Sequence, residues 1–106
     1  MFIYHIVLPE KWEQIKGQSN YSADSLDTEG FIHCSYDHQL SGVLQRYYSE
    51  VDKIVVLKID IAKLTSKLVS EPSTGGEVYP HIYGPINMDA VAEIEELSVR
   101  QRTSTE

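Results

Sequence analysis

The run Lys53-Ile54-Val55-Val56-Leu57-Lys58-Ile59-Asp60 decides the fold class of this chain. Residues 54–57 form a continuous apolar stretch, which is typical of a strand covered on both faces. The run is too short for an ordinary helix, and its β-branched residues favour a strand. The sequence therefore predicts a doubly covered strand over residues 53–60, from which the other elements can be placed.

Turn residues divide the rest of the chain into short elements. The other predicted strands span residues 2–7, 31–35, 67–71, 78–83 and 90–99. The predicted helices span residues 9–16 and 36–49, and the second is indicated by apolar side chains on one face, Leu40, Val43, Leu44 and Tyr47. Polar loops are predicted at residues 18–27 and 73–76, and a turn at 61–64. Because a single long helix covers the strands, an α+β domain with antiparallel pairing is favoured over a doubly wound parallel sheet.

The composition indicates one globular domain. The chain has 106 residues, of which 42% are hydrophobic and 24% charged, values typical of a soluble domain. We expect this domain to span residues 1–99 and the polar segment 100–106 to be a disordered tail. No apolar run is long enough to cross a membrane, and no secretory signal is evident at the start. Cys34 is the single cysteine, which predicts a reducing, cytoplasmic location without a disulfide.

The charge balance restricts the partners. Sixteen acidic residues against nine basic ones give a formal charge of −7, which repels phosphate backbones at long range. Extended nucleic acid is therefore not an expected partner. A small anionic ligand remains compatible with this charge, because histidines, an arginine or backbone amides can make one pocket locally positive.

The second informative stretch is Glu77-Val78-Tyr79-Pro80-His81-Ile82-Tyr83-Gly84-Pro85. Pro80 and Pro85 restrict their own backbone angles and those of the preceding residue, and Gly84 can adopt angles that other residues avoid. The directions in which the chain enters and leaves this predicted strand are therefore restricted. Histidine exchanges protons near neutral pH, and tyrosine offers a stacking face and a hydroxyl. The stretch is interpreted as the wall of a site. A hydrogen-bonded structural histidine packed between tyrosines is the alternative.

Two more histidines lie in predicted strands, and together the three predict a shared cleft. Alternation along a strand puts His5 on one face with Ile3 and Val7. By the same rule His33 and Ser35 share a face, a pairing suited to holding a ribose or a carbonyl.

Residues of these types occur in three kinds of site. A zinc site normally has two ligands close together on one element, and the gaps between these histidines are long, so no metal is expected. A hydrolase triad needs an activated nucleophile, and neither Cys34 nor Ser35 lies in a nucleophile elbow. A small-molecule site with neutral histidines as hydrogen-bond partners and tyrosines as walls fits these residue types best.

Two sequence blocks carry a resemblance to a known family. They are Glu29-Gly30-Phe31-Ile32-His33-Cys34-Ser35 and Gly76-Glu77-Val78-Tyr79-Pro80-His81-Ile82-Tyr83-Gly84-Pro85-Ile86. Together with Ile3-Tyr4-His5-Ile6 they resemble the bacterial and plant family of unknown function called DUF952, over nearly the whole chain. Tyr79 departs from the family pattern, in which phenylalanine is common, and keeps an aromatic wall.

The resemblance implies a fold similar to that of the ADP-ribosyltransferases. Such a fold has two small, mostly antiparallel sheets around a cleft, here with two helices, and in those enzymes the cleft holds NAD. A first-strand histidine or arginine contacts a ribose hydroxyl there, a role open to Tyr4 and His5. The run 32–35 resembles a histidine-containing run of the RNA 2′-phosphotransferases. Glu71 or Glu77 would correspond to the transferase glutamate that stabilises the oxocarbenium-like transition state, and the resemblance leaves that choice open.

The resemblance thus implies an ADP-ribosyl or phosphoribosyl transferase that uses NAD or an ADP-ribose-like ligand. The catalytic candidates are Glu71, Glu77 and His33. The ligand-binding candidates are Tyr4, His5, His33, Ser35, His81 and Tyr83, with Tyr83 stacking on a base. Two alternatives stay open, namely a module that binds such a ligand without turning it over, and an interaction domain whose histidines only tie loops together.

Overall fold

The computed structural model describes residues 1–99, so the predicted tail at 100–106 lies outside the described residues. The strands are β1 (Phe2–Val7), β2 (Asn20–Tyr21), β3 (Ile32–His33), β4 (Lys53–Asp60), β5 (Lys67–Pro72), β6 (Val78–Tyr83), β7 (Ile86–Asn87) and β8 (Val91–Ser98). The α-helices are α1 (Pro9–Ile15), α2 (Asp24–Glu29) and α3 (Leu40–Tyr47). Short 3-10 turns lie at Asp37–Gln39, Ile61–Lys63 and Met88–Ala90.

Strand β4 is the centre of the main sheet, whose strand order is β1-β4-β8 with antiparallel pairing on both sides. Its side chains alternate between two cores. Leu57 and Ile59 join the cluster that faces the other sheets, and Ile54 and Val56 join the cluster beneath α3. The prediction of a strand covered on both faces is therefore confirmed, and the described fold is an α+β domain built from small antiparallel sheets.

The second three-stranded sheet has the order β3-β6-β5, also antiparallel. Ile32 and Ile82 lie opposite each other in it and point into the core that it shares with the main sheet. This sheet and α3 thus lie on opposite sides of β4 and its neighbours.

Pro80 explains why β3 is shorter than the predicted strand at 31–35. The Cys34 N–H donates to the Pro80 carbonyl oxygen at 3.1 Å, but proline has no N–H to return the bond. The regular ladder therefore ends at His33. The chain then changes partner, since Ser35 exchanges two backbone hydrogen bonds with Tyr4 of β1, at 2.7 and 2.8 Å.

Two predictions about the element count were wrong. The polar segment 18–27, predicted as a loop, contributes both β2 and the start of α2. Strand β2 pairs with β7 as a separate two-stranded sheet, so there are three sheets among the described residues where two were expected. A ladder of two residue pairs is too short to show alternation, and α2 buries none of its side chains, so neither element has an apolar pattern.

The other differences concern boundaries. The predicted helix 36–49 begins with a 3-10 turn and continues as α3 only over Leu40–Tyr47. The predicted strand 90–99 begins one residue later, after the turn Met88–Ala90. No helix within residues 1–99 combines the length and apolar character that a membrane crossing requires.

Candidate functional site

A cleft of about 350 Å³ opens beside β1. Among residues 1–99, β1 forms a ladder with β4 on one side and a single bridge, between Tyr4 and Ser35, on the other. The cleft lies between β1 and the segment from His33 to Ser35. Tyr4, His5, His33 and Ser35, four of the predicted ligand-binding residues, all line the cleft.

His5 is buried at the base of the cleft, with 6% of its surface exposed. Its Nδ1–H donates to the His33 carbonyl oxygen at 2.7 Å, and its Nε2 accepts from the Tyr21 hydroxyl at 3.0 Å. Burial lowers the pKa of His5 to about 4, because charging the ring would strand a cation in an apolar surrounding. His5 is therefore a neutral ring with both nitrogens engaged within the protein.

Several lining residues were not among the predicted site residues. They are Lys11 at the side of α1, Tyr21 of β2, Ser25 of α2, and Val43 and Tyr48 at α3. Tyr21 is buried and its pKa is raised, chiefly by desolvation. The Lys11 ammonium lies 3.7 Å from the Asp24 carboxylate at the same cleft. Tyr21 was not predicted as a site residue because it lies in segment 18–27, which is predicted as a loop.

A second group of predicted residues meets on the side of the β3-β6-β5 sheet that faces away from the core. We call this the outer face and define it by Phe31, His33, Glu71, His81 and Tyr83. Phe31 stacks on His81 with ring centroids 4.0 Å apart and meets the edge of His33 at 4.9 Å. The His33 and His81 rings lie directly opposite across the strands, with centroids 5.5 Å apart at an interplanar angle of 78°.

Glu71 is the carboxylate at the centre of the outer face. The Tyr83 hydroxyl donates to Glu71 Oε1 at 2.6 Å, and His81 Nδ1 lies 2.7 Å from the same oxygen. These two donors lower the pKa of Glu71, the tyrosine bond having the larger effect, and the same bond raises the pKa of Tyr83. Glu71 is thus an ionised acceptor, which fixes the His81 proton on Nδ1.

Glu77, the other candidate glutamate, lies apart from this group. Its Oε2 accepts from Gln39 Nε2 at 3.0 Å, and its Oε1 accepts from the Tyr79 hydroxyl at 3.2 Å. Arg46 Nη1 donates to the same hydroxyl at 3.2 Å. Glu77 therefore ties the start of β6 to α3 and its preceding turn.

His33 connects the cleft with the outer face. Its carbonyl oxygen accepts from His5, and its ring contacts His81. Its Nε2 lies 3.2 Å from both carboxylate oxygens of Glu29 at the end of α2. His33 therefore contacts both other strand histidines. His5 and His33 line the same cleft, whereas His81 and Tyr83 lie on the outer face and are not among the residues that line it.

Two other chemistries find little support in the geometry. Cys34 is buried, and desolvation raises the pKa of its thiol, which removes the thiolate that a nucleophile needs. Within residues 1–99 no three His, Cys, Asp or Glu side chains are grouped so as to hold a metal ion.

Comparison with known proteins gives a family and close structural matches. A family model described as a protein of unknown function (DUF952) matches residues 6–94. The crystal structure of protein CC0527 from Caulobacter crescentus, a structural genomics target, matches with a TM-score of 0.81 and 26% identity, over 92% of this chain and 87% of that chain. The solution NMR structure of CC0527 matches with a TM-score of 0.79 and 26% identity, over 92% and 84%. No curated protein matches the chain.

Proposed function

This chain belongs to the DUF952 family, and we propose that it binds a small nucleotide-like ligand, such as NAD, ADP-ribose or another phosphorylated ribose, in the cleft beside β1. The observation that carries the proposal is the convergence of Tyr4, His5, His33 and Ser35 on one cleft of about 350 Å³. This volume lies within the range of small-molecule sites, roughly 300–1,000 Å³. The single, unpaired Cys34 favours a cytoplasmic location for this activity.

The cleft offers polar groups of the kind such a ligand needs. The Lys11 ammonium supplies a positive charge beside the cleft, where it faces the exposed Asp24 carboxylate at 3.7 Å, and a phosphate that binds there would compete with this carboxylate for it. The Tyr21 hydroxyl donates to His5 and keeps lone pairs that can accept from a ribose hydroxyl. His5 then acts as a positioning residue, because it holds Tyr21 and has no ring nitrogen left for a ligand.

For the reaction we propose ribosyl transfer with Glu71 as the catalytic carboxylate. Glu71 shares the outer face with His33, His81 and Tyr83 and is kept ionised by its two donors. Glu71 does not line the cleft, so the proposal requires the ribose to extend from the cleft past His33 to the outer face. An ionised carboxylate beside the ribose there stabilises the positive charge of an oxocarbenium-like transition state. For this reaction we use the analogy with the ADP-ribosyltransferase fold. The analogy rests on the two small three-stranded antiparallel sheets that lie beside a cleft.

The second candidate is a binding module that does not turn its ligand over. It is favoured by the two internal hydrogen bonds of His5 and by the buried thiol of Cys34, which make the base of the cleft structural. A pure binding module raises the melting temperature of the protein in proportion to ligand saturation and leaves the ligand chemically unchanged.

Isothermal titration with NAD, ADP-ribose and 2′-phosphorylated nucleotides tests the binding proposal. Val43→Trp, at a lining position of α3, should fill part of the cleft and abolish the heat of binding. Ser41→Trp is the matched control, since Ser41 is exposed on the same helix and does not line the cleft. Absence of heat from every ligand at millimolar concentration would refute the proposal.

Chromatographic analysis of the same ligands after incubation separates the two candidates. If Glu71 is catalytic, Glu71→Gln should lower the turnover rate by about 10²–10³-fold, the usual effect of removing one stabilising group at the transition state. Glu77→Gln should leave the rate nearly unchanged, because Glu77 contacts Gln39 and Tyr79 away from the outer face. Binding without any turnover would leave the binding module as the function.

A further inference from the structure

The positions of His33 and His81 follow from the backbone of the β3-β6 ladder. The Cys34 N–H donates to Pro80 O, so Cys34 and Pro80 occupy a hydrogen-bonded position of the antiparallel pair. The neighbouring pair, His33 and His81, is then a non-hydrogen-bonded pair, at which opposite side chains come closest. The observed separation of 5.5 Å between the ring centroids agrees with this geometry.

Each of these imidazoles has a carboxylate on one nitrogen and an open second nitrogen. His81 uses Nδ1 for Glu71 and His33 uses Nε2 for Glu29. Neither His81 Nε2 nor His33 Nδ1 has a hydrogen-bond partner among residues 1–99. A histidine whose other nitrogen donates to a carboxylate is fixed in tautomer and orientation, as in catalytic dyads.

The two rings are also held in place. Phe31 stacks on one side of His81 with an interplanar angle of 18° and touches His33 edge-on. Glu71 is anchored by the Tyr83 hydroxyl at 2.6 Å. Catalytic groups that are locked by packing and by supporting hydrogen bonds lose little entropy when the reaction occurs.

Charges on every neighbouring element face this pair. Glu29 comes from α2, Glu71 and Lys67 come from β5, and the Tyr83 hydroxyl comes from β6. For His33 to act as an acid and His81 as a base, only His33 carries a proton on both nitrogens. His33 and Lys67 then balance the carboxylates of Glu29 and Glu71, so the site has no net charge that would repel a substrate group with a single negative charge. A polyanion is disfavoured by the chain's formal charge of −7.

From this geometry we propose that His33 and His81 form an acid–base pair that hydrolyses a ribose-linked phosphodiester, with nucleoside 2′,3′-cyclic phosphates as the substrate class. The proposal rests on the proposed function in one respect, because the ribose of the substrate lies in the cleft that His33 lines. A cyclic phosphate carries one negative charge, and its leaving group is a ribose alkoxide that requires a proton from a general acid.

The step balances with water as the only co-reactant. His81 Nε2 removes a proton from a water molecule as the water oxygen bonds to phosphorus. The bond between phosphorus and the ribose 2′-oxygen breaks, and this oxygen receives a proton from His33 Nδ1. The product is a nucleoside 3′-phosphate, and the two histidines return to their starting protonation states by exchange with solvent. His33 is assigned as the acid because it lies at the cleft, nearest the ribose.

The test follows adenosine 2′,3′-cyclic phosphate by phosphorus NMR with the whole protein. We expect the cyclic phosphate signal to convert to that of the 3′-phosphate with a bell-shaped pH dependence, as an acid and a base acting together produce. His33→Asn and His81→Asn should each slow the conversion by about 10²–10⁴-fold. His38→Asn is the matched control and should keep the full rate, because His38 is exposed, stacks on Tyr36 and does not line the cleft.

Binding measured on the same samples separates this inference from the proposed function. Heat of binding without conversion, or conversion that both His33→Asn and His81→Asn retain, would overturn the acid–base pair and leave the ligand site intact. Absence of binding would overturn both. If circular dichroism shows that His81→Asn does not fold, Glu71→Gln takes its place. This variant removes the ionised partner of His81 and should also slow conversion, whereas an unchanged rate would contradict the proposal.

Discussion

The imidazole of His5 joins all three described sheets. It belongs to β1, donates to the backbone of β3 and accepts from Tyr21 of β2. The bond from Tyr21 requires the neutral ring, since Nε2 must accept, whereas the bond to the His33 carbonyl can form in either protonation state. The protonation state of one side chain is therefore linked to the folded state of the whole domain.

This linkage gives a pH prediction. The pKa of His5 falls from 6.5 to about 4 on folding, so the unfolded chain binds the proton more readily. The contribution of the neutral His5 ring to the free energy of unfolding is fully present above the pKa of the unfolded chain, 6.5. It is lost as the pH drops toward the pKa of the folded protein, about 4. Urea denaturation should show a loss of about 2 kcal/mol between about pH 7.5 and about pH 5 from this group. His5→Gln, which cannot titrate, should flatten the dependence, and equal slopes in both proteins would contradict it.

The hydroxyl of Tyr21 gives a second prediction at this scale. Tyr21→Phe removes the donor to His5 Nε2 and leaves a buried acceptor without a partner. We expect a loss of about 1–3 kcal/mol in the free energy of unfolding, measured by urea denaturation at neutral pH. Tyr47→Phe is the control, because Tyr47 is 70% exposed and its change should be close to zero. A similar loss in both variants would show that the hydrogen bond to His5 is not the cause.

Strand alternation predicted which way the residues of β1 face, since Ile3, His5 and Val7 are its buried positions. It could not predict their partners. Tyr21 lies 16 residues from His5 along the chain and Glu71 lies 10 from His81, and such pairs depend on how the sheets are placed against one another. The choice between Glu71 and Glu77 stayed open for this reason, because both flank the same loop in sequence but have different neighbours in space.

At the scale of the elements, the end of β6 depends on Gly84. Its φ is +157°, and a Cβ added there would lie 2.5 Å from Ser66 Oγ. Ser66 cannot easily move away, because this hydroxyl donates to the Pro85 carbonyl oxygen at 2.6 Å. The close approach holds the turn after β6 against the start of β5.

Gly84→Ala should therefore lower the free energy of unfolding by about 1–3 kcal/mol, the range for a strained backbone position with a steric conflict. Gly75→Ala provides the comparison, since nothing lies within 4 Å of a Cβ there. The double variant Gly84→Ala, Ser66→Gly should recover part of the loss. No recovery would assign the cost to the backbone angle alone.

Elements with a clear apolar pattern were predicted well, and those without one were missed. The strand over 53–60 has the predicted bounds as β4, because a doubly covered strand must be apolar along its length. Helix α2 has no buried side chain, and its end is marked only by Gly30, whose φ is +89°. Its Leu26 is partly buried against the core, and the Gly30 N–H caps the helix by donating to the carbonyl oxygens of Ser25 and Leu26. One apolar contact and a capping bond leave little trace in a hydrophobicity pattern.

At the scale of the whole molecule, the fold class followed from the order of the elements and the single long helix. The shared cleft was predicted from the three strand histidines, of which His5 and His33 line the cleft beside β1. What the sequence left undetermined was how many sheets share the core. Strand β2, which carries the cleft residue Tyr21, pairs with β7 through two residue pairs, Asn20 with Asn87 and Tyr21 with Ile86. A ladder this short is specified by tertiary packing and not by the local β propensity of its residues.

The three-sheet contact of His5 also predicts how the domain unfolds in acid. If one buried ring holds the sheets together, they should separate in a single cooperative transition. Far-UV circular dichroism, which reports all strands, and the fluorescence of Trp12, which packs against the shared core, should then give the same midpoint on lowering the pH. Midpoints that differ would mean that one sheet separates before the others.

Pro80 determines more than the length of β3. Because this proline ends one ladder where the Tyr4–Ser35 bridge begins the next contact, the mouth of the cleft is framed by main-chain bonds on both sides. The side chains of Lys11 and Tyr48 line the cleft and take no part in these main-chain bonds. Substitution of these lining side chains should therefore change which ligand the cleft accepts and leave the main-chain frame in place.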